Sequence, residues 1–125
     1  MERSFEAFDE GDWEALESFW DPDGEMVGPA AWPESGRIPG WPAILAQFKR
    51  LKDPWSFSRI EVISHRSAGD HVWTHFRWIT RGKASGMANE VEMWMVAEFR
   101  GDRFSRAAYF LDREAADEAL REEAR

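Results

Sequence analysis

The chain has 125 residues, eight tryptophans, nine phenylalanines, no cysteine and a formal net charge of −8. That length carries one domain, residues 1–125, around a single core. The missing cysteine excludes disulfides and thiolate chemistry, and the acidic balance with no basic run argues against nucleic acid or an anionic membrane as a partner.

In chain order, Phe5 and Phe8, then Trp13, Leu16, Phe19 and Trp20, recur at helical spacing. Gly11-Asp12 interrupts them, so the spacing predicts two short helices meeting at a bend, the second capped by Asp12. The same N-terminal stretch has no apolar run, which predicts a soluble, cytoplasmic protein. Asp21-Pro22 ends the second helix, and a strand is expected over Gly24 to Val27. Trp41-Pro42 opens another helix, because proline fits the first helical position. Ile44, Leu45, Phe48 and Leu51 form its apolar stripe up to Asp53-Pro54.

Beyond Pro54 the pattern turns towards alternation. Segments 57–65, 71–81, 89–100 and 103–111 are rich in β-branched and aromatic residues, with Gly69-Asp70 and Gly101-Asp102 as tight turns of an antiparallel meander. Asp112 then caps a charged terminal helix, REAADEALREEAR, whose apolar face is Ala115, Ala116, Ala119 and Leu120. Helices first and a sheet afterwards is the α+β order. Each large aromatic buries roughly 150–250 Å², so this many fill a large core, line a cavity or cover a partner surface.

The segments EAFDEGDWEALESFWDPDGEMVGP, GRIPGWPAILAQFKRL, AGDHVWTHFRW and AAYFLDREAADEAL, in that order, together resemble a SnoaL-like protein of the NTF2-like (ketosteroid isomerase-like) superfamily. The resemblance covers nearly the whole chain and rests on the order of the segments, since none of them is specific alone. It implies an NTF2-like cone, a curved antiparallel sheet wrapped against N-terminal helices around a pocket, often as a homodimer packed through the outer sheet face. In the isomerase branch a carboxylate just after the DPD-type exit takes the substrate proton, while a phenol on the first helix and a protonated acid on an inner strand hold the oxyanion. Lining up DPDGEMVGP, GDWEAL and MVAEF puts Gly28, Ser4 and Met95 at those three positions. Glycine has no group to move a proton and a thioether is at best a weak acceptor, so that branch's chemistry is not expected here.

Placing Met95 inside by the same resemblance sets the strand faces by alternation. Val91, Met93, Met95, Ala97 and Phe99 then face the cavity, with Val72, Thr74, Phe76 and Trp78 beside them. Trp20, Met26, Trp32, Trp41 and Phe48 are expected to complete the ligand-binding wall, with plain core packing as the alternative for any one of them. The opposite faces carry Trp73, His75 and Arg77, and Trp94 and Val96 between Glu92 and Glu98, a mixed set that suits a homodimer interface. The resemblance puts Phe110 near the cavity. Arg106 and Asp112 share its parity and are candidate catalytic groups, with Tyr109 the inward polar residue if the parity is reversed. The plainer roles are a helix cap for Asp112 and an ion pair or exposed strand position for Arg106.

His71 and His75 are four apart on a strand, roughly 13 Å at about 3.3 Å per residue, and cannot share an ion. His65 lies across the hairpin from His71 but brings no paired carboxylate motif, so no metal is expected. RGKASG lacks phosphate-loop spacing and no serine sits in an elbow motif, so no cofactor is expected either. A small, mostly apolar or aromatic molecule is the expected partner, bound in the pocket. Two alternatives stay open: a cofactor-independent enzyme of isomerase, cyclase or hydrolase type, and an accessory homodimer whose cavity is filled by its own aromatics.

Overall fold

A computed structural model describes residues 2–32 and 34–123, the side chain of Glu123 excepted. In chain order it holds α1 (Glu2–Glu10), α2 (Trp13–Ser18), β1 (Trp20–Gly28), β2 (Gly36–Pro39), α3 (Trp41–Lys52), β3 (Trp55–Ala68), β4 (His71–Gly82), β5 (Ala88–Arg100), β6 (Arg103–Phe110) and α4 (Arg113–Glu123). Residues 124–125 of the expected terminal helix lie outside the described residues. Among the described residues no helix is long and apolar enough to cross a membrane.

Local signals in the chain account for most of these boundaries. The Asp12 carboxylate accepts the Ala15 N–H at 3.1 Å and caps α2. Pro42 stands in the first turn of α3, where its missing N–H costs nothing. Gly69 and Gly101, at φ of 62° and 66°, turn the β3–β4 and β5–β6 hairpins. Two boundaries differ from the expectation. β1 starts at Trp20, ahead of Gly24, and its register against β6 shifts between Trp20 and Glu25, the stretch in which Pro22 has no N–H to give a ladder. β2 is a four-residue strand absent from the sequence reading, held by pairing Ile38 with Met26.

The strands form one sheet in the order β2-β1-β6-β5-β4-β3. It is antiparallel except between β1 and β6, which run parallel. Register shifts at Trp55/Phe57, Val62/Ser64 and Glu98/Phe99 bend the long strands, since a bulge adds local twist and curvature. The curved sheet and helices α1–α3 enclose a core in which Phe5, Phe8, Leu16, Trp20, Phe48 and Phe76 are all buried.

The other sheet face is also covered, and by the same chain. Trp73, Trp94 and Val96 are 0%, 7% and 2% exposed because Ala116, Ala119 and Leu120 of α4 pack over them, with Phe110 alongside. Alanines at 116 and 119 let the helix lie close to the indoles. The Arg66 and Arg113 guanidinium groups stand 4.3 and 5.6 Å from the Trp73 ring centroid, and Asp117 lies 3.8 Å from each arginine. The expectation that Trp73, Trp94 and Val96 need a second subunit to cover them is therefore corrected: α4 supplies the cover. Phe110, expected near the cavity, belongs to this outer cluster instead. His75 and Arg77 keep part of their surface, and the His75 ring stacks on Trp94 at 4.6 Å and 5°. Trp73→Ala should cost about 3–5 kcal/mol, read as a lower urea midpoint. A change within about 0.5 kcal/mol, the range of surface substitutions, would show that α4 does not seal this face.

Candidate functional site

The cavity lies between the inner sheet face and helices α1–α3. Residues at helical spacing on α1 put Ser4, Phe5 and Phe8 on its wall, and Leu16, Phe48 and Leu51 come from α2 and α3. The strands contribute Trp20, Ile60, Phe76, Trp78, Met93, Met95, Phe104 and Tyr109, and the loop of residues 29–35 contributes Trp32. Phe5 and Phe76 meet at 5.1 Å between ring centroids, Trp20 and Phe104 at 5.1 Å, and Trp32 and Tyr109 at 4.9 Å. The volume left open in the cavity is about 40 Å³.

Seven residues expected on the wall are there: Trp20, Trp32, Phe48, Phe76, Trp78, Met93 and Met95. Met26, Trp41 and Thr74 are not. Met26 is fully buried in the core, paired across strands with Ile38 and Ala107. Trp41 stands behind Trp20 and Phe48, at 6.3 and 6.4 Å between ring centroids. Thr74 is fully buried, with its hydroxyl 3.0 Å from His65 Nδ1.

Of the candidate catalytic groups, Tyr109 is on the wall, while Arg106 and Asp112 are not. Arg106 pairs across the sheet with Glu98, and Ala108 and Phe110 with Val96 and Trp94, which sets Arg106 on the outer face. There its Nε donates to Glu25 at 3.1 Å, and the second oxygen of Glu25 accepts from Arg37 Nε. Burial alone would raise the Glu25 carboxyl, but the two arginines outweigh it and hold the group below the usual carboxylate range. Asp112 is exposed, accepts the Glu114 N–H at 3.1 Å, and acts as the cap of α4.

The three positions compared with the isomerase branch lie in or beside the cavity. Ser4 and Met95 are on the wall. Gly28 is buried beneath Trp32: a Cβ there would stand 3.2 Å from Trp32 Cε3 and 3.0 Å from the Glu34 carbonyl oxygen. The indole thus lies where a side chain at position 28 would begin. No Asp, Glu, His, Lys or Arg lines the cavity among the described residues, and the wall's one titratable group is the Tyr109 phenol. Burial pushes that phenol well above its ordinary value, so it stays protonated at neutral pH. Its hydroxyl makes no hydrogen bond among the described residues, whereas Ser4 already has an interaction within the chain.

A polar network missed by the sequence reading sits directly behind the wall. The Trp78 indole N–H donates to Ser58 Oγ at 3.0 Å, and the Ser58 hydroxyl donates to Asp9 Oδ1 at 3.1 Å. Asp9 Oδ2 accepts the Ile60 N–H at 2.8 Å, and Lys52 Nζ donates to the Asp9 carbonyl at 2.6 Å. The signal was available: Asp9 lies four residues after Phe5, on the buried stripe of α1. The histidines are dispersed, with His65 3.6 Å from Glu2, His71 3.7 Å from Glu98 and His75 3.2 Å from Glu92. No group of three or more metal-ligating side chains forms among the described residues.

A family model described as a SnoaL-like domain matches residues 1–107. Bal32a, from a soil-derived mobile gene cassette, is 21% identical over 95% of this chain and 91% of its own, with a TM-score of 0.77. TerC, co-crystallised with polyporic acid, is 20% identical over 95% of this chain and 92% of its own, with a TM-score of 0.75. A protein of ketosteroid isomerase-like fold from Catenulispora acidiphila, in complex with trimethylamine, is 19% identical over 85% of this chain and 79% of its own, with a TM-score of 0.74. No curated protein matches the chain. At these identities the solved structures establish the fold alone, an α+β NTF2-like cone.

Asp9 generates a prediction about pH. Burial raises its carboxyl above the ordinary value of 3.8, against the lowering effect of Ile60, Ser58, Lys52 and Arg59. The folded state therefore holds this proton more tightly than the unfolded chain. The resulting stabilisation is complete below the ordinary value and is lost as pH rises through the raised one. Asp9→Asn cannot titrate, so its unfolding free energy relative to wild type should rise between about pH 3 and pH 7. A constant difference across that range in urea titrations would refute this.

Proposed function

The chain belongs to the SnoaL-like domain family, and we propose that it binds a small, mostly apolar or aromatic molecule in its cone without catalysing the proton transfer of the isomerase branch. The observation that carries the reading is the wall itself, apolar and aromatic, with a protonated phenol as its one titratable group among the described residues. A general base must reach the proton it abstracts, and the half-buried acid Asp9 is spent on Ser58 and Ile60 behind Trp78. With glycine at position 28 beneath an indole, nothing stands where the branch has its carboxylate. TerC was crystallised with polyporic acid and the Catenulispora protein with trimethylamine, so cones of this shape take unlike ligands, and selection falls to the side chains on the wall.

The same reading includes association with a second copy, through the half of the outer face that α4 leaves uncovered. His75 and Arg77 retain surface there, and farther along the same sheet face Phe57, paired with Arg81, is 48% exposed. Exposed aromatic surface beside charges of both signs, such as Arg77 with Glu90 and Arg59 with Glu61, is the composition of a protein interface rim.

Native mass spectrometry of the protein purified without added ligand tests both parts. Extra mass that leaves as a neutral molecule on activation is the expected result for the pocket, and twice the chain mass is expected for the association. A monomer would remove the homodimer and leave the pocket reading standing. The wild type should also show no double-bond isomerisation of a 3-ketosteroid. Robust turnover that Tyr109→Phe abolishes would overturn the assignment of the wall as non-catalytic.

A further inference from the structure

Trp32 differs from the rest of the wall in how it is held. Every other wall residue stands on a helix or a strand, whereas Trp32 comes from the loop between β1 and β2. Its main chain is pinned by one turn, its N–H donating to the Pro29 carbonyl at 3.0 Å. Its ring is half-buried, lies against the Tyr109 ring with an interplanar angle of 41°, and covers Gly28. A loop side chain can leave its place without disrupting a ladder or a helix, which none of its neighbours on the wall can do.

The volumes make that difference matter. About 40 Å³ open to the centre of a water molecule holds a few waters and excludes a two-ring compound. That volume is far below the roughly 300–1,000 Å³ of ordinary small-molecule sites, so with its aromatic side chains in place the cone is largely filled. Withdrawal of an indole frees the space of two fused rings in a single step.

The chemistry of the freed place is equally specific. It is bounded by the Tyr109 ring, a surface for stacking. It contains the Tyr109 hydroxyl, 92% buried as a residue (8% exposed) and without a hydrogen-bond partner among the described residues. Among the described residues no cation or carboxylate lines the cavity to pair with a charged ligand, and an unpaired charge in such a place is strongly disfavoured.

We infer that the Trp32 indole stands in the ligand's own place, and that the ligand is a flat, uncharged, fused-ring-sized molecule that displaces it and presents a carbonyl or hydroxyl oxygen to the Tyr109 hydroxyl. This rests on the pocket-binding reading above and adds the ligand class and the two residues that select it. Tyr109 sets the preference for a neutral acceptor, and Trp32 sets the size that must be displaced. Because the phenol stays protonated, its O–H donates to the ligand oxygen at neutral pH.

Equilibrium dialysis at neutral pH with naphthalene, 2-acetylnaphthalene and 2-naphthoate tests this on wild type, Tyr109→Phe and Trp32→Ala, each checked for native melting behaviour. The wild type should bind 2-acetylnaphthalene about tenfold more tightly than naphthalene, the worth of one hydrogen bond, and 2-naphthoate more weakly than either. Tyr109→Phe keeps the ring and removes the hydroxyl, so it should bring the two neutral probes level while leaving naphthalene unchanged. Trp32→Ala should tighten both neutral probes several-fold. Retention of the acetyl preference in Tyr109→Phe, equal binding of the naphthoate, or weaker binding to Trp32→Ala would each overturn the inference and leave the pocket reading intact. Failure of every probe to bind any of the three proteins would overturn both.

Discussion

A β-strand sends alternate side chains to opposite faces, and in β4 and β5 both faces carry large apolar groups: Phe76, Met93 and Met95 on one, Trp73, Trp94 and Val96 on the other. A sheet with two such faces needs two covers. Helices α1–α3 cover the inner face, and the cavity lies between them and the sheet. The convex face receives α4, whose alanines allow a close approach to the indoles. The two covers are unequal in kind, and the difference divides the aromatic residues between a wall around open space and a dry seam.

The same alternation governed what could be read from the sequence. Long periodic segments announced themselves: α3 from its stripe and proline, the hairpins from their glycine turns, α4 from Asp112 and its alanines. Positions next to bulges did not. In β6, Phe104 pairs with Phe99 but Arg106 pairs with Glu98, so Ser105 is passed over and the faces exchange. Strict alternation from Phe104 would send Arg106 inward. The bulge sends it out to Glu25 and brings Tyr109 in. A one-residue irregularity of this kind leaves no composition signal, yet it decides which polar group meets the cavity. β2 escaped for a simpler reason, since one apolar residue in four gives no period to detect. The burial of Trp73 was concealed because its cover comes from α4, some forty residues later in the sequence and outside the span that matches the family model.

The cavity is also notable for where charge has been kept. Glu25 pairs with both Arg37 and Arg106 on the outer side, and Asp9 is satisfied by Ser58 and Ile60 behind the Trp78 ring. Among the described residues, charged groups thus surround the pocket without entering it. Transition-state charge has little to meet on such a wall, while a neutral ring meets stacking surfaces on several sides. The contrast with a proton-transfer site comes from side chains at a few positions on a shared backbone, which is why the fold alone names no activity.

Asp9 has a second consequence, at the rim of the sheet. β3 is an edge strand of 14 residues, and a long edge offers its main-chain N–H and C=O groups to any passing strand. Here the Asp9 carboxylate occupies the N–H of Ile60, and the bulge at Ile63 breaks the spacing three residues farther on. Arg59, Glu61 and Arg66 add charge along the same strand. A strand arriving to extend the sheet would find a donor already taken, a register that does not continue and a row of charged side chains. The carboxylate that docks the first helix therefore also protects the sheet against growth into a continuous ladder.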